Sequence, residues 1–306
     1  MKDLSFPLVS VITINFNQSA VTADLLKSLR KISYPVVEII VVDNASDKDP
    51  VDPIIDVFPE VRFLKSKTNL GFAGGNNLGA KIAKGDYFLF LNNDTEVDPG
   101  FLEPLVARLQ SDSGIGMVSP KIRFHHTPDT IQYAGYTPMN RITLRQHLIG
   151  YREKDNGQYN IGGPTFSIHG AAMMVPRSVI EKVGLMAEQY FLYYEEHDWA
   201  ERVKGAGYTV CYEASSLVMH KESISTGIES PLKVYYINRN RFLFARRNSK
   251  GFRKWLALMY LSIIAFPKAL TSYLLKGRFD LAKCVWNAYI WNFFRFSQVR
   301  NNQYLD

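Results

Sequence analysis

Four short clusters in this 306-residue chain combine residue types that can handle phosphate, sugar and proton chemistry. Asn92-Asn93-Asp94-Thr95 follows the apolar run Phe88–Leu91, so a carboxylate stands rigidly at a strand end. There it can share a hard divalent cation with a diphosphate, because such a cation keeps its waters and needs few protein oxygens. An Asx turn capping the next element is the competing reading. Asp43-Asn44 follows Ile39–Val42 in the same way, and can accept from a pyrimidine N–H or a ribose hydroxyl, or cap a helix. Residues 69–77, NLGFAGGNN, form a Gly-rich helix entry where backbone amides can approach a phosphate or sugar. Close helix–sheet packing is the alternative there. The run is neither GxGxxG nor a Walker loop, which excludes a dinucleotide or triphosphate cradle of those kinds.

The fourth cluster packs Glu195, Glu196, His197 and Asp198 into four residues between Tyr193-Tyr194 and Trp199. On a helix Glu195 and Asp198 share a face, with Glu196 about 100° around from Glu195. A solvated acidic face explains most such runs. Flanking aromatics instead make a sheltered carboxylate, whose pKa rises toward working pH as a general base requires. His220, after Leu217-Val218-Met219, gains meaning only from its neighbours in space.

Strands and helices must position these groups. Leu8–Ile14, Val37–Val42, Val61–Leu64 and Tyr87–Leu91 read as buried strands, with helices over 19–32 and 72–83 between them. That alternation predicts a doubly wound α/β sheet, with ligands at the carboxyl ends of its strands. Beyond Val118 the pattern is mixed. Pro138–Pro164 reads as a loop over the site, Ala171–Val175 and Tyr208–Tyr212 as strands, and Glu195–Ala206 as a helix.

The two cysteines, Cys211 and Cys284, provide neither a disulfide framework nor metal spacing. Met1–Pro7 lacks the basic and apolar regions of a signal peptide, so a cytoplasmic location is expected. The net charge of +7 is unevenly spread: 14 of the 36 Lys and Arg, but only two acids, lie from Ser230 onward. The tail therefore carries +12 and the rest of the chain −5, which points to an anionic partner. Interleaved Trp, Phe, Tyr and Leu fit a lipid surface better than a nucleic acid. Leu256–Phe266 is too short for a span of ~20 residues. Pro267 should kink any extension, and Lys268 would lie mid-bilayer. A helical pair in the membrane interface, with Trp255, Tyr260, Trp286 and Trp291 at headgroup level, is expected. A hairpin packed on the core and a spanning helix are the alternatives.

In order along the chain, SVITINFNQ, VVDNASD, NLGFAGGNN, FLNNDTEV and YYEEHDWAERVKGAGY resemble the family 2 glycosyltransferases of GT-A fold. The resemblance is strongest to the rhamnosyltransferase-like branch and covers about Leu8 to Asn248, including Tyr235–Arg241 after the catalytic domain. It implies a Rossmann-like mixed sheet with helices on both faces. A nucleotide-sugar-binding half is implied over 1–117, an acceptor-binding half over 118–229, and a basic amphipathic tail over 230–306. By the same resemblance, Thr13, Asn15, Asn17, Asp43, Asn44, Asn69, Gly74, Asn76 and Asn93 line the donor site. Asp94 and His220 would hold Mn2+ or Mg2+, although the family's DxD motif is reduced to Asn92-Asn93-Asp94. The family's Glu-Asp pair reads Glu195-Glu196, which makes Glu196 the base, with Asp198 the second acid. Glu195, Trp199 and Gly170 would meet the acceptor.

The reaction implied is inverting sugar transfer, with deoxythymidine diphosphate rhamnose or a uridine diphosphate hexose as donor. The acceptor would be a glycan or a polyprenyl-diphosphate-linked sugar at the inner leaflet of the cell membrane, with the enzyme peripherally bound. Two other classes stay open. A sugar nucleotidyltransferase should carry a cationic Gly-rich loop where Asn15-Phe16-Asn17-Gln18 stands. A non-catalytic nucleotide-sugar-binding scaffold would account for the depleted DxD.

Overall fold

The apolar runs of the first ninety residues form the expected elements, with one short helix, α2, added: β1 (Val9–Asn15), α1 (Ser19–Leu29), β2 (Val37–Asp43), α2 (Asp52–Ile55), β3 (Arg62–Lys65), α3 (Gly71–Ala80) and β4 (Tyr87–Leu91). The structure is a computed structural model that describes residues 6–221 and 230–294. Next come β5 (Thr95–Val97), α4 (Leu102–Ser111), β6 (Ile115–Phe124), β7 (Thr127–Tyr133), β8 (Gly163–Pro164), β9 (Ala172–Pro176), α5 (Arg177–Val183), α6 (Glu195–Gly205) and β10 (Thr209–His220). The remaining helices are α7 (Pro231–Asn248), α8 (Gly251–Tyr260), α9 (Phe266–Leu275) and α10 (Phe279–Phe294).

The strands form one mixed sheet in the order β3-β2-β1-β4-β9-β6-β10-β5, with β7 on β6 and β8 on β10. The strands β3, β2, β1 and β4 are parallel, whereas β9 runs antiparallel between β4 and β6. Leu25, Leu26 and Leu29 of α1 and Leu102, Leu105 and Leu109 of α4 pack on one face. Ala73 and Ala80 of α3, Val179 of α5 and Trp199 and Val203 of α6 pack on the other. Helices on both faces are what a largely buried parallel sheet requires.

Helix α3 lies so close to the sheet that its glycines act as spacers. A Cβ on Gly79 would sit 2.6 Å from Ile12 Cγ2, and one on Gly75 2.8 Å from Ile14 Cδ1. Packing therefore accounts for part of the Gly-rich run.

Elements α2, β5, α4, β6, β7, β8 and α5 go beyond the sequence reading. The strand expected at Tyr208–Tyr212 continues to His220, because a register shift between Glu213 and Leu217 lets β10 bend and keep pairing with β6. The polar loop expected over Lys221–Gly227 lies, after Lys221, outside the described residues. Helix α7 buries Val234, Asn240, Leu243 and Phe244.

Pro267 does not end the helix. Gly251–Leu275 forms one helical run of 25 residues, long and apolar enough to cross a membrane by length and composition. Its segment Leu261–Ala265 is π-helical. The wider turn accommodates a proline that cannot donate to the preceding turn. Helix α10 then folds back, and Asn292 Nδ2 donates to the Arg239 carbonyl at 3.0 Å.

Candidate active site

The carboxyl ends of β1, β2 and β4 lie side by side, with Asn15 opposite Asp43. Most polar groups expected at the donor here are engaged with one another. Asp43 Oδ1 accepts from Ser46 N at 2.8 Å, while its Oδ2 accepts from Val51 N at 2.9 Å and Asn15 Nδ2 at 3.2 Å. Asn17 Oδ1 accepts from the backbone amides of Asp47, Lys48 and Asp49. Asn44 joins Asn69 Oδ1, the Gly71 carbonyl and Leu70 N. These side chains shape the 44–49 and 66–71 turns that frame the strand ends. Asn93 Nδ2 reaches Gln18 and Thr22. Thr13 differs, because its buried hydroxyl has no partner among the described residues.

The start of α3 is not open to a phosphate at its first two amides. Gly71 N donates to Asn69 Oδ1 at 2.9 Å, and Phe72 N to the Phe191 carbonyl at 2.6 Å. A Cβ on Gly74 would meet Leu70 Cβ at 2.7 Å, and Asn76, buried, donates to Phe72 O. Both positions serve the helix and its packing.

Beyond β4 the picture changes. Asp94 Oδ1 stands 3.1 Å from His220 Nε2, with both side chains 7% exposed. His220 Nδ1 is 2.7 Å from Gln132 Oε1, an acceptor, so Nδ1 carries a hydrogen. In the neutral ring, Nε2 then presents a lone pair to a carboxylate oxygen. That contact needs a proton or a cation between the two atoms. Burial alone would push Asp94 up, but the hydrogen bond and charge of His220 outweigh it and hold the carboxyl below its usual range.

This donor set suits a divalent metal. One carboxylate and one imidazole, with the imidazole oriented by a second-layer amide, leave positions open for waters and diphosphate oxygens. Among the described residues no group of three or more His, Cys, Asp or Glu gathers as a closed metal cage. The diphosphate would have to complete the coordination.

The other pole is the start of α6. Glu195 is 3% exposed, and its Oε2 has no partner among the described residues. Burial, and then the neighbouring Glu196, push its carboxyl well above the usual range and so favour its protonated form. Glu196 Oε2 is also without a partner, and the side chain lines a cavity of about 450 Å³. Tyr136, Arg145, Gln146, Tyr151, Tyr193 and Tyr194 line it too, so the loop expected over Pro138–Pro164 supplies part of the wall, from its first half. His197 supports Glu196, with Nε2 3.6 Å from Glu196 Oε1, and Nδ1 2.9 Å from Ser167 Oγ and 3.0 Å from Gln146 Nε2.

Two residues of the same motif face elsewhere. Asp198, expected as a second acid, is wholly occupied by Tyr190, Arg202, Arg247 and Asn248 at 2.8–3.0 Å. Burial pushes Asp198 up, but Arg247 and Arg202 outweigh it and hold it low. It ties α6 to α7. Trp199 is fully buried against Phe90, with Nε1 on the Gly184 carbonyl at 2.9 Å, and offers an acceptor no surface. By contrast, a Cβ on Gly170 would meet nothing within 4 Å.

The 167–171 turn connects the two poles. Ser167 touches His197, and His169 stacks edge-on to His220, ring centres 5.9 Å apart. His169 Nδ1 accepts from Ala171 N at 3.1 Å, and burial, followed by the charges of His220 and His197, lowers its pKa to about 3. It is a neutral imidazole whose Nε2 carries the hydrogen. His169 and Gln132 are absent from the sequence-derived site, and only their fold neighbours, Gly170 and His220, pointed near them.

Residues 10–184 match the family model described as glycosyl transferase family 2. The chain belongs to that family. Among relatives of this family 2 glycosyltransferase, a low-salt glycan biosynthesis hexosyltransferase of Haloferax volcanii is 27% identical over 240 residues, covering 77% of this chain and 74% of its own. An N-acetylglucosaminyl-diphospho-decaprenol L-rhamnosyltransferase of Mycobacterium tuberculosis is 23% identical over 270 residues, covering 80% and 86%. In fold, the chain is similar to a mannosyltransferase of Pyrobaculum calidifontis solved with GDP-Man and Mn2+, with a TM-score of 0.60 and 15% identity, over 96% of this chain and 89% of that one. The architecture is the GT-A arrangement. The family 2 enzyme is a glycosyltransferase of glycan biosynthesis, and its two poles now have the context of sugar transfer.

Proposed function

We propose that this glycosyltransferase is inverting and metal-dependent, moving a sugar from a nucleoside diphosphate onto a hydroxyl of a glycan or lipid-linked acceptor. The observation that carries the reading is Glu196. An unpartnered carboxylate oxygen beside a cavity, linked to the Asp94–His220 pair through His197 and the 167–171 turn, is what a base opposite a leaving diphosphate needs.

In this reading Asp94 and His220 hold Mn2+ or Mg2+, which when bound stabilises charge on the departing diphosphate as a Lewis acid. The acceptor enters the cavity between the flap and the tyrosines. Glu196 takes the acceptor hydroxyl proton as that oxygen bonds to the anomeric carbon, and the carbon–oxygen bond to the nucleoside diphosphate breaks. Asn15, Asn17, Asp43, Asn44 and Asn69 act through the turns they shape, and Thr13 offers its free hydroxyl to the nucleotide. Holding both substrates in line supplies much of the remaining acceleration. Deoxythymidine diphosphate rhamnose is the first candidate donor, supported by the mycobacterial rhamnosyltransferase relative, with uridine diphosphate hexoses next. Purified enzyme with Mn2+ and a panel of sugar nucleotides should release nucleotide from one of them. Tight binding without release from any member would favour a non-catalytic scaffold.

The acceptor is presented at a membrane surface. Phe252, Trp255, Met259, Ile263 and Ile264 are exposed along 251–275, with Lys250, Arg253 and Lys254 at one end and Lys276 and Arg278 at the other. Apolar side chains flanked by cations suit an anionic interface. The chain should pellet with anionic vesicles and much less with zwitterionic ones. A large apolar side chain is worth roughly 1.5–3 kcal/mol when buried, so Trp255→Ser with Ile263→Ser should weaken pelleting at least about tenfold. Undiminished pelleting of that variant would remove this surface from the account.

A further inference from the structure

Helix α7 turns its most polar residues inward. Asn240 is fully buried and Arg239 is 6% exposed. Asn240 Oδ1 accepts from Arg239 Nε at 2.8 Å, which orients the amide. Its Nδ2 then donates toward the carbonyls of Tyr190 at 2.9 Å, Leu192 at 2.7 Å and Tyr193 at 2.7 Å. Arg239 Nη2 adds Gln189 O at 2.6 Å and Tyr190 O at 2.7 Å. The carbonyl of Phe191 faces the opposite way and caps Phe72 of α3.

That segment has a backbone that few side chains adopt. Phe191, Tyr193 and Tyr194 have φ of 64°, 69° and 78°. Leu192 N closes onto Tyr190 O at 2.7 Å, a γ-turn of the rare positive-φ kind. Such conformations persist where the surroundings over-determine them. Tyr190 O is shared with Arg239 Nη2 and Leu192 N, so the two hydrogens of the Asn240 amide serve chiefly Leu192 O and Tyr193 O, on either side of the strained residues.

We propose that Asn240 is a positioning residue for the base, holding the 191–194 turn in its positive-φ form and thereby setting where Glu196 stands. The inference rests on Glu196 acting as the base. Tyr194 is the residue before α6, and Glu196 follows two residues later, so any relaxation of the turn moves the carboxylate directly. The same turn contacts the donor half, where Gly71 leaves no room for a Cβ, which would lie 2.3 Å from the Phe191 carbonyl. Asn240 thus links the two halves of the enzyme through one turn. Asn292 of α10 holds α7 at the adjacent carbonyl, that of Arg239. The catalytic unit then runs to Asn248, beyond the 1–229 expected from the sequence.

The test measures kcat and donor affinity in the full chain, per nucleotide-binding site. A base displaced by about 1 Å costs on the order of 100-fold, so Asn240→Ala should lower kcat by about that factor with donor affinity and donor KM nearly unchanged. Asn292→Ala leaves the turn's own bonds intact and should give the same pattern with a smaller loss. A merely structural residue would reduce the yield of folded enzyme and leave kcat per site unchanged, and that result overturns the proposal. Should Asn240→Ala give no folded protein, Asn292→Ala decides: lower kcat with intact donor binding supports the claim, and unchanged kcat overturns it. Loss of donor affinity in step with kcat, in either variant, also overturns it. Glu196→Gln separates the two ideas, because an active Glu196→Gln enzyme refutes the base assignment, whereas an inactive one beside a fully active Asn240→Ala refutes only the positioning.

Discussion

Glu196→Gln should lose transfer by roughly 10²–10⁴-fold, the range a positioned general base contributes, while still binding nucleotide as the parent does. Glutamine keeps the volume and the wall of the cavity but removes the atom that takes the proton. The neighbouring acid is the internal control. Burial favours the neutral form of Glu195, and Glu195→Gln puts a neutral group of the same shape in its place. Its kcat should change little. The sign of its effect on stability follows from linkage. The folded-state pKa of Glu195 lies above its unfolded value, so the native state binds more protons between the two, and wild-type stability falls as pH rises through that window. Glu195→Gln removes this pH-dependent loss and should melt at higher temperature than the parent at neutral pH. Thermal scans at pH 5 and pH 7.5, paired with single-turnover rates, check both variants. A dead Glu195→Gln beside an active Glu196→Gln would exchange their roles.

Asp94→Asn is expected to be comparably damaging, for a different reason. A metal at a departing diphosphate supplies several kcal/mol of charge stabilisation, so losing its carboxylate should cost about 10³-fold in turnover. Asparagine keeps the shape at the end of β4 but removes the negative charge that faces His220. The Mn2+ concentration for half-maximal rate should rise steeply, and the remaining rate should depend weakly on metal. His220→Gln should behave similarly but more mildly, because water can fill a vacated imidazole position. Titration of turnover with Mn2+ reads this out. An unchanged Mn2+ dependence in Asp94→Asn would separate Asp94 from the metal.

Much of the architecture was legible because strand-forming runs and helical spacing alternate without interruption from Leu8 to Leu91. Helix α4 was also legible in principle, since Leu102, Leu105, Val106 and Leu109 follow helical spacing and are all buried. The bent strand β10 was not, because Glu213, Ala214, Ser215 and Ser216 break the apolar pattern where the register shifts. At the site, residue type pointed to Asp94, His220 and Glu196 but could not say which neighbours were already satisfied. Asp198 looked like a second catalytic acid, yet two arginines from different elements neutralise it. Trp199 was expected to meet the acceptor, yet the period of α6 turns it onto Phe90. Asn240 carried no visible signal beyond an unusual string of polar residues in an otherwise aromatic helix. Its role depends on three carbonyls about 50 positions away in the chain.

The central claim is that one crevice holds the metal on Asp94 and His220 and the sugar between them and Glu196. Anomalous scattering from a crystal of the full chain with Mn2+ and a nucleoside diphosphate tests it directly. A manganese peak beside the Asp94 and His220 side chains, next to the diphosphate and with Glu196 on the open side, is the predicted result. Manganese on other side chains, or a nucleotide on a surface that Glu196 does not share, would contradict it.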